Sequence, residues 1–300
     1  MQMIIRGIND SGNHFKDIEE RFRGQKQLTP LQWAVVRLDG HGFSTWVRQN
    51  YPMDNSSKDK WHPAFEKAMT DTALAMAKVY APSLLYTFSD ELTMVFEPSK
   101  VMQLSGGRIL KLSTLMASMM TAKFAQASGK VSGDMATFDA RAFSLPTHED
   151  VAANISWRMC DARRNSVAQW ARQYSSNKEL SGMNSAQLIA HTEDGRHEGV
   201  IPWLSLPTHR RCGRLFKHVK VDVTMSEQEL AAARENNPRF GCKGLEEHVD
   251  TLTGARIYSY QRSQYEPVVD LLEDYCKEPA TTFWFSPQAT HDRLTKLISQ

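Results

Sequence analysis

Hydrophobic positions change period along this chain, and the changes mark out its elements. From Trp33 to Asp39 they alternate, so Ala34, Val36 and Leu38 share one face of a strand and Val35, Arg37 and Asp39 the other. Leu84 to Phe88 and Leu92 to Phe96 are two more strand-like runs, and Ser89-Asp90-Glu91 between them predicts a hairpin with its acids at the turn. Thr137 to Leu145 reads as a fourth strand. Helices are predicted from about His14 to Arg23 and from Pro63 to Val79, where Pro63 suits a first helical turn. A long helix after Ser105-Gly106-Gly107 carries Ile109, Leu112, Met116 and Met119 at helical spacing. From the first strand onward the order is β-α-β-β-α-β, that of a split βαβ, ferredoxin-like unit. A further helix from His148 to about Tyr174 has Val151, Ile155, Met159, Ala162 and Trp170 as its buried stripe. From about Val221 the composition changes, and an acidic, alanine-rich helix is expected over Ser226 to Glu235. The chain contains no internal repeat or low-complexity segment.

With 300 residues and 41% hydrophobic content, a proper core is expected. The net charge is +2, from 36 basic and 34 acidic residues, so any nucleic-acid surface must be a local patch. Cys160, Cys212, Cys242 and Cys276 lie far apart without a C-x-x-C pair, which argues against a zinc site and a disulfide framework and for a reducing cytoplasm. The N-terminus lacks a long apolar stretch, and no window approaches ~18 consecutive apolar residues, so neither export nor membrane insertion is expected.

The chemistry concentrates in two segments, RLDGHGF at Arg37 to Phe43 and TFSDELTMVF at Thr87 to Phe96. Each sets an aspartate at a strand end. Brought together, Asp39 and Asp90 are hard oxygen ligands suited to one or two magnesium ions, as nucleotidyl transfer needs. Taken singly, each could equally be an aspartate bonding nearby backbone amides. Glu91 is either an acid supporting that pair or a solvated turn residue. On the helix after His148, Arg158, Asp161 and Asn165 share a face that Arg164 also reaches; Arg158 with Asp161 is either part of a ligand site or an intrahelical ion pair. Two glycines in the loop Asp39 to Ser44 let the backbone approach a phosphate. The run Thr208 to Arg214 is the strongest positive cluster, and no Walker P-loop, H-E-x-x-H or G-x-S-x-G is present.

Together with ASMMTAKF (Ala117 to Phe124), TFDARAFSLP (Thr137 to Pro146) and SWRMCDARRNSVAQ (Ser156 to Gln169), these segments resemble the tRNA-His guanylyltransferase family, the reverse-polarity polymerases that extend 5′ RNA ends. SNKEL (Ser176 to Leu180) and PWLSLPTHRRCG (Pro202 to Gly213) look most like its bacterial and archaeal guanylyltransferase-like branch. The resemblance covers about Leu31 to Gly213. It implies an α+β fold with a polymerase-palm-like antiparallel sheet, helices on one face and a helical extension. Residues 1–220 would be the catalytic part, with the palm at about 31–146 and a fingers-like part at about 147–220, and 221–300 would be accessory. It further implies that Asp39, the Gly40 carbonyl and Asp90 hold two Mg2+ ions, and that Asp39 to Ser44, Ser89 and Asp90 line the nucleotide pocket. Arg164, Asn165 and Lys178 would hold phosphates. Arg210, Arg211 and Arg214 are expected at phosphates of RNA, with a triphosphate as the other partner for this basic run. Partners would be tRNA and nucleoside triphosphates, with ATP or GTP activating the RNA end, in a cytoplasmic homotetramer without membrane contact. The chain departs from the eukaryotic pattern at Ser44, where a histidine is usual, and at Arg163, Asn165 and Ser166, where a histidine and two asparagines are. Lys58 and Lys60 stand near a basic position of the family, and the aromatics of the last eighty residues either stack on RNA or pack an accessory layer, where roughly eighty is the span after the composition change. A nucleotide cyclase or small-nucleotide synthase on the same palm, or a non-catalytic RNA-binding protein, are the alternatives.

Overall fold

The computed structural model describes residues 8–23, 27–51, 62–131, 135–238, 240–241, 244–251, 253–277 and 288–299. They divide into one unit of Met1–Phe216 with Pro267–Gln300 and a second of Lys217–Glu266. In chain order the first unit holds α1 (Ile8–Arg23), β1 (Trp33–His41), α2 (Phe43–Asn50), α3 (Pro63–Tyr80), β2 (Leu84–Phe88), β3 (Glu91–Phe96), α4 (Ile109–Ser128), β4 (Thr137–Leu145), α5 (His148–Ala171), α6 (Ser185–Glu193) and α7 (Thr208–Cys212). The strand β5 (Arg214–Ser226) begins there, and α8 (Glu227–Asn236), β6 (Leu245–Val249) and β7 (Arg256–Pro267) follow. The first unit then resumes with α9 (Val269–Lys277) and α10 (Gln288–Ser299).

Strands β4, β1, β3 and β2 pair antiparallel in that order. Their register follows from alternation. It places Asp39 opposite Asp139 and closes the β2–β3 hairpin with Phe88 opposite Glu91, so only Ser89 and Asp90 form the turn. Ser89 takes a positive φ of 52°, an uncommon conformation outside glycine that two-residue hairpin turns demand. The expected turn of three residues is therefore one shorter, and Glu91 is a strand residue.

Both faces of this sheet are covered, which corrects the expectation of helices on one face. On one side α3 and α4 pack on each other and on β2, β1 and β4. On the other, Val35, Tyr86, Val95 and Phe143 share a core with Phe15 of α1, Val151, Ile155 and Met159 of α5, Leu271 and Tyr275 of α9 and Leu294 of α10. The physical reason is that the alternate strand positions are apolar too, and such strands gain from burial on both sides. The predicted stripe of α5 is buried at every named position. Thr147 and Asp150 close a reciprocal capping box at its start. Thr147→Ala is expected to lower stability by about 1 kcal/mol, read from the urea midpoint, with no change in its slope.

A second correction concerns cysteine. Cys212 of α7 and Cys276 of α9 form a disulfide across 64 residues, Cα atoms 6.8 Å apart. Spacing could not foretell it, because the packing of α7 on α9 brings the two together.

In the second unit β7 lies between β5 and β6, α8 is capped by Ser226 with Glu229, and Leu230 is its buried residue. Tyr258 is buried, Tyr260 meets Phe240 and Tyr265 meets His218. These tyrosines pack within their unit, whereas Phe283, Trp284 and Phe285, like Lys58 and Lys60, lie outside the described residues. No helix among the described residues is long and apolar enough to cross a membrane.

Candidate active site

The sheet brings the two strand-end acids together. Asp90 sits in the β2–β3 turn beside the end of β1, where a Cβ on Gly40 would fall 2.7 Å from Asp90 Oδ2 and 2.2 Å from the Phe43 ring. Only glycine lets the strand end approach both. Burial, and then the Asp39 carboxylate, push Asp90 up to about 6, against hydrogen bonds from its own amide and Ser89. Asp39 is raised as well, by burial first and then by Glu91 and Asp139, with Arg37 and Arg158 pulling the other way.

A network of ions holds this end of the sheet. The Arg37 guanidinium donates to Asp39 Oδ2 at 3.2 Å and to Glu91 Oε1 at 3.0 Å, and lies 3.9 Å from Glu19. Arg158 of α5 pairs with Glu91 and lies 3.5 Å from Asp161. Glu91 thus ties β3 to β1 and to α5. The Arg158–Asp161 contact is the intrahelical ion pair, widened by Glu91 into a link between elements.

A cleft of about 640 Å³ opens beside the pair. Gly40, Gly42, Phe43, Ser44, Ser89 and Asp90 form one part of its lining, Asn165, Gln169 and Arg172 of α5 a second. Glu66 and Met69 of α3 with His209, Arg210 and Arg214 form a third, and Arg48, His62 and Phe65 line the cleft too. Phe43 and Phe65 pack with Phe124 beneath, so an apolar floor carries polar walls. Such a cavity suits a small ligand with an aromatic part and a charged part.

Of the residues singled out by sequence, Gly40, Gly42, Phe43, Ser44, Ser89, Asp90, Asn165, Arg210 and Arg214 line the cleft. Asp39 stands behind it on the Arg37 side, and His41 is exposed at the end of β1. Arg164 turns to Asp161 at 2.5 Å, and Lys178 is exposed outside the lining. The basic run does not act as one strip. Arg210 donates to Glu66 at 2.8 Å, while Arg211 donates to the Leu206 and Cys276 carbonyls at 3.0 and 3.1 Å. Asn165 therefore faces the cleft, whereas Arg164 is held outside its lining.

Sequence reading missed Glu66, Gln169 and Arg172. Gln169 and Arg172 follow Asn165 by four and seven residues, so the helical period could have found them. Glu66 looks like any polar residue of an amphipathic helix and gave no signal.

The family model described as "Thg1: tRNAHis guanylyltransferase" matches residues 13–146. The "Probable tRNA(His) guanylyltransferase" of Dictyostelium discoideum is 24% identical over 235 residues, 74% of this chain and 86% of that protein. A bacterial Thg1-like protein solved in complex with ATP superposes with a TM-score of 0.53 at 27% identity, covering 69% of this chain and 87% of that one. A bacterial Thg1-like protein in complex with GTP gives 0.54 over 97% of this chain and all of that one, and at 18% identity this likeness speaks for the fold alone. Residues 13–146 thus match the tRNAHis guanylyltransferase family model, and the chain is similar to proteins of that name.

Proposed function

We propose that this protein is a nucleotidyltransferase adding nucleotides to the 5′ end of tRNA, in the 3′-to-5′ direction, on a palm-type sheet. The observation carrying the reading is Asp90 in the wall of a cleft of nucleotide size, with Asp39 close enough behind it to raise its carboxyl. Magnesium fits the residues present: two carboxylates, each raised first by burial and Asp90 further by Asp39, next to a backbone that Gly40 keeps close, are the hard oxygen donors that a divalent cation favours. When bound there, it would lower the pKa of an attacking hydroxyl and steady the triphosphate leaving group.

The chain's own side chains do the rest. Arg37 holds Asp39, and Glu91 holds Arg37. Phe43 and Phe65 offer the nucleobase an apolar wall that excludes water, and Asn165 can donate its amide to a phosphate oxygen. A 5′-monophosphate RNA end would first take a nucleotidyl group from ATP or GTP with release of pyrophosphate. The 3′-hydroxyl of the incoming nucleotide would then displace that group from the 5′ phosphorus. DARRNS and LPTHRRCG, shared with the bacterial-like branch, favour repair of truncated ends by templated addition over a single guanylate on tRNA-His. A cytoplasmic homotetramer belongs to the same proposal.

Incubating the purified protein with 5′-truncated tRNA, magnesium, ATP and each nucleoside triphosphate in turn tests this on a denaturing gel. Extension set by the opposing template base is expected. Triphosphate consumption that ignores RNA would instead establish the cyclase or synthase alternative.

A further inference from the structure

The walls of the cleft hold an imbalance of charge that the strand-end acids do not explain. Glu66, one turn into α3, faces three basic residues of the α7–β5 segment. Its Oε1 accepts from Arg210 Nε at 2.8 Å and its Oε2 lies 3.5 Å from His209 Nε2. Arg210 is only 10% exposed at its side chain and Glu66 17%, so both are committed to this contact and largely withdrawn from water. Arg214, two residues beyond α7, also lines the cleft, and Glu66 attracts it as well. The chain delivers it there through Gly213, whose φ of 84° and close approach to the Thr87 carbonyl and the Tyr86 hydroxyl press the segment onto β2. Any side chain at Gly213 would clash with both. Tyr86 donates to the Cys212 carbonyl at 2.7 Å and locks the same junction.

We infer that Glu66 is a positioning residue, which by holding Arg210 and His209 leaves Arg214, among the three basic residues of the α7–β5 segment, to meet the phosphates of the nucleotide bound in the cleft. The inference rests on the nucleotide reading proposed above and assigns Arg214 to the triphosphate instead of an outer RNA surface. Its electrostatics agree. Burial would raise Glu66, yet hydrogen bonds from His209 and Arg210 keep it below its usual value and hence ionised. Burial first, and then Arg210, disfavour the charge on Arg214, with Glu66 pulling the other way, and a phosphate beside it would add to that attraction.

The sign of one substitution separates positioning from bulk charge. Removing a carboxylate near an anion should tighten binding if Glu66 acts only through its charge. A positioning role predicts the reverse.

Equilibrium dialysis with magnesium, using a labelled nucleoside triphosphate and the matching nucleoside, reads the phosphate contribution apart from the base and sugar. Arg214→Ala is expected to weaken triphosphate binding about tenfold or more and leave the nucleoside unchanged, as loss of one charge-assisted contact implies. Glu66→Gln, nearly isosteric, is expected to weaken the triphosphate about threefold or more, with the effect gone in the Arg214→Ala background because the two act as one unit. Glu66→Asp should restore part of the loss. Tighter triphosphate binding by Glu66→Gln, or additive effects of the two substitutions, would overturn the inference. So would an Arg214→Ala protein that loses tRNA affinity in filter binding yet keeps its triphosphate. A wild-type protein that binds no triphosphate would sink the nucleotide reading itself, whereas wild-type binding with an unaltered Arg214→Ala variant would sink this inference alone.

Discussion

Asp39→Ala and Asp90→Ala are each expected to cut nucleotide addition by more than about 100-fold, because even outer-shell partners of a bound metal cost 10–100-fold when removed. Folding should survive. The raised carboxyl of Asp90 carries a definite sign: a group at about 6 when folded and near its ordinary 3.8 when unfolded is bound to its proton more tightly in the fold. The stability it contributes is complete below the unfolded value and fades as pH rises from there through about 6. At pH 7 in chelator, Asp90→Asn should therefore be more stable than wild type, by an amount on the order of 2 kcal/mol, while inactive. Urea denaturation at pH 7 and pH 4 checks it. An Asp90→Asn protein less stable than wild type at pH 7, or near-normal turnover by either alanine variant at ordinary magnesium concentration, would remove the basis for the paired-acid assignment.

Arg158→Ala should produce the largest loss of stability, about 3 kcal/mol or more, the cost of removing one partner of a buried ion pair. Its side chain is 6% exposed and its partner Glu91 20%, so solvent screens neither well. Glu91 would retain Arg37, which holds the cost toward the lower end of the usual range. The guanidinium also stacks 4.9 Å from the Trp157 ring, contact that alanine forfeits. Replacing both partners, Arg158→Met with Glu91→Gln, should recover part of the loss, since the unpaired charge rather than the missing contact dominates it. A single-variant cost below about 1 kcal/mol would place the pair among surface ion pairs instead.

Much of the first unit was readable where a period ran long enough to outweigh its alternatives. β4 begins and ends at the predicted residues, and α3 and α5 start at theirs, because alternation and helical spacing report the burial of one face directly. Helix α2 escaped notice. Gly40 and Gly42 read as a loop, yet Gly42 is the left-handed residue from which Phe43–Asn50 begins. The helices α9 and α10 were not read, although their apolar residues recur at helical spacing, and they completed the core from the far end of the chain.

The division has one physical cause. Local pattern encodes which faces of a strand or helix seek burial, and a motif encodes which groups sit at a strand end, so the four paired strands, the buried stripe of α5 and the two aspartates were present in the sequence itself. Contacts between distant segments have no such local trace. Glu66 meets Arg210 across 144 residues, Cys212 meets Cys276 across 64, and Arg211 turns from an expected RNA surface to a backbone carbonyl 65 residues away. Only the packing of α3, α7 and α9 on the sheet decides those partners, because side chains far apart in sequence become neighbours through the burial of other residues entirely.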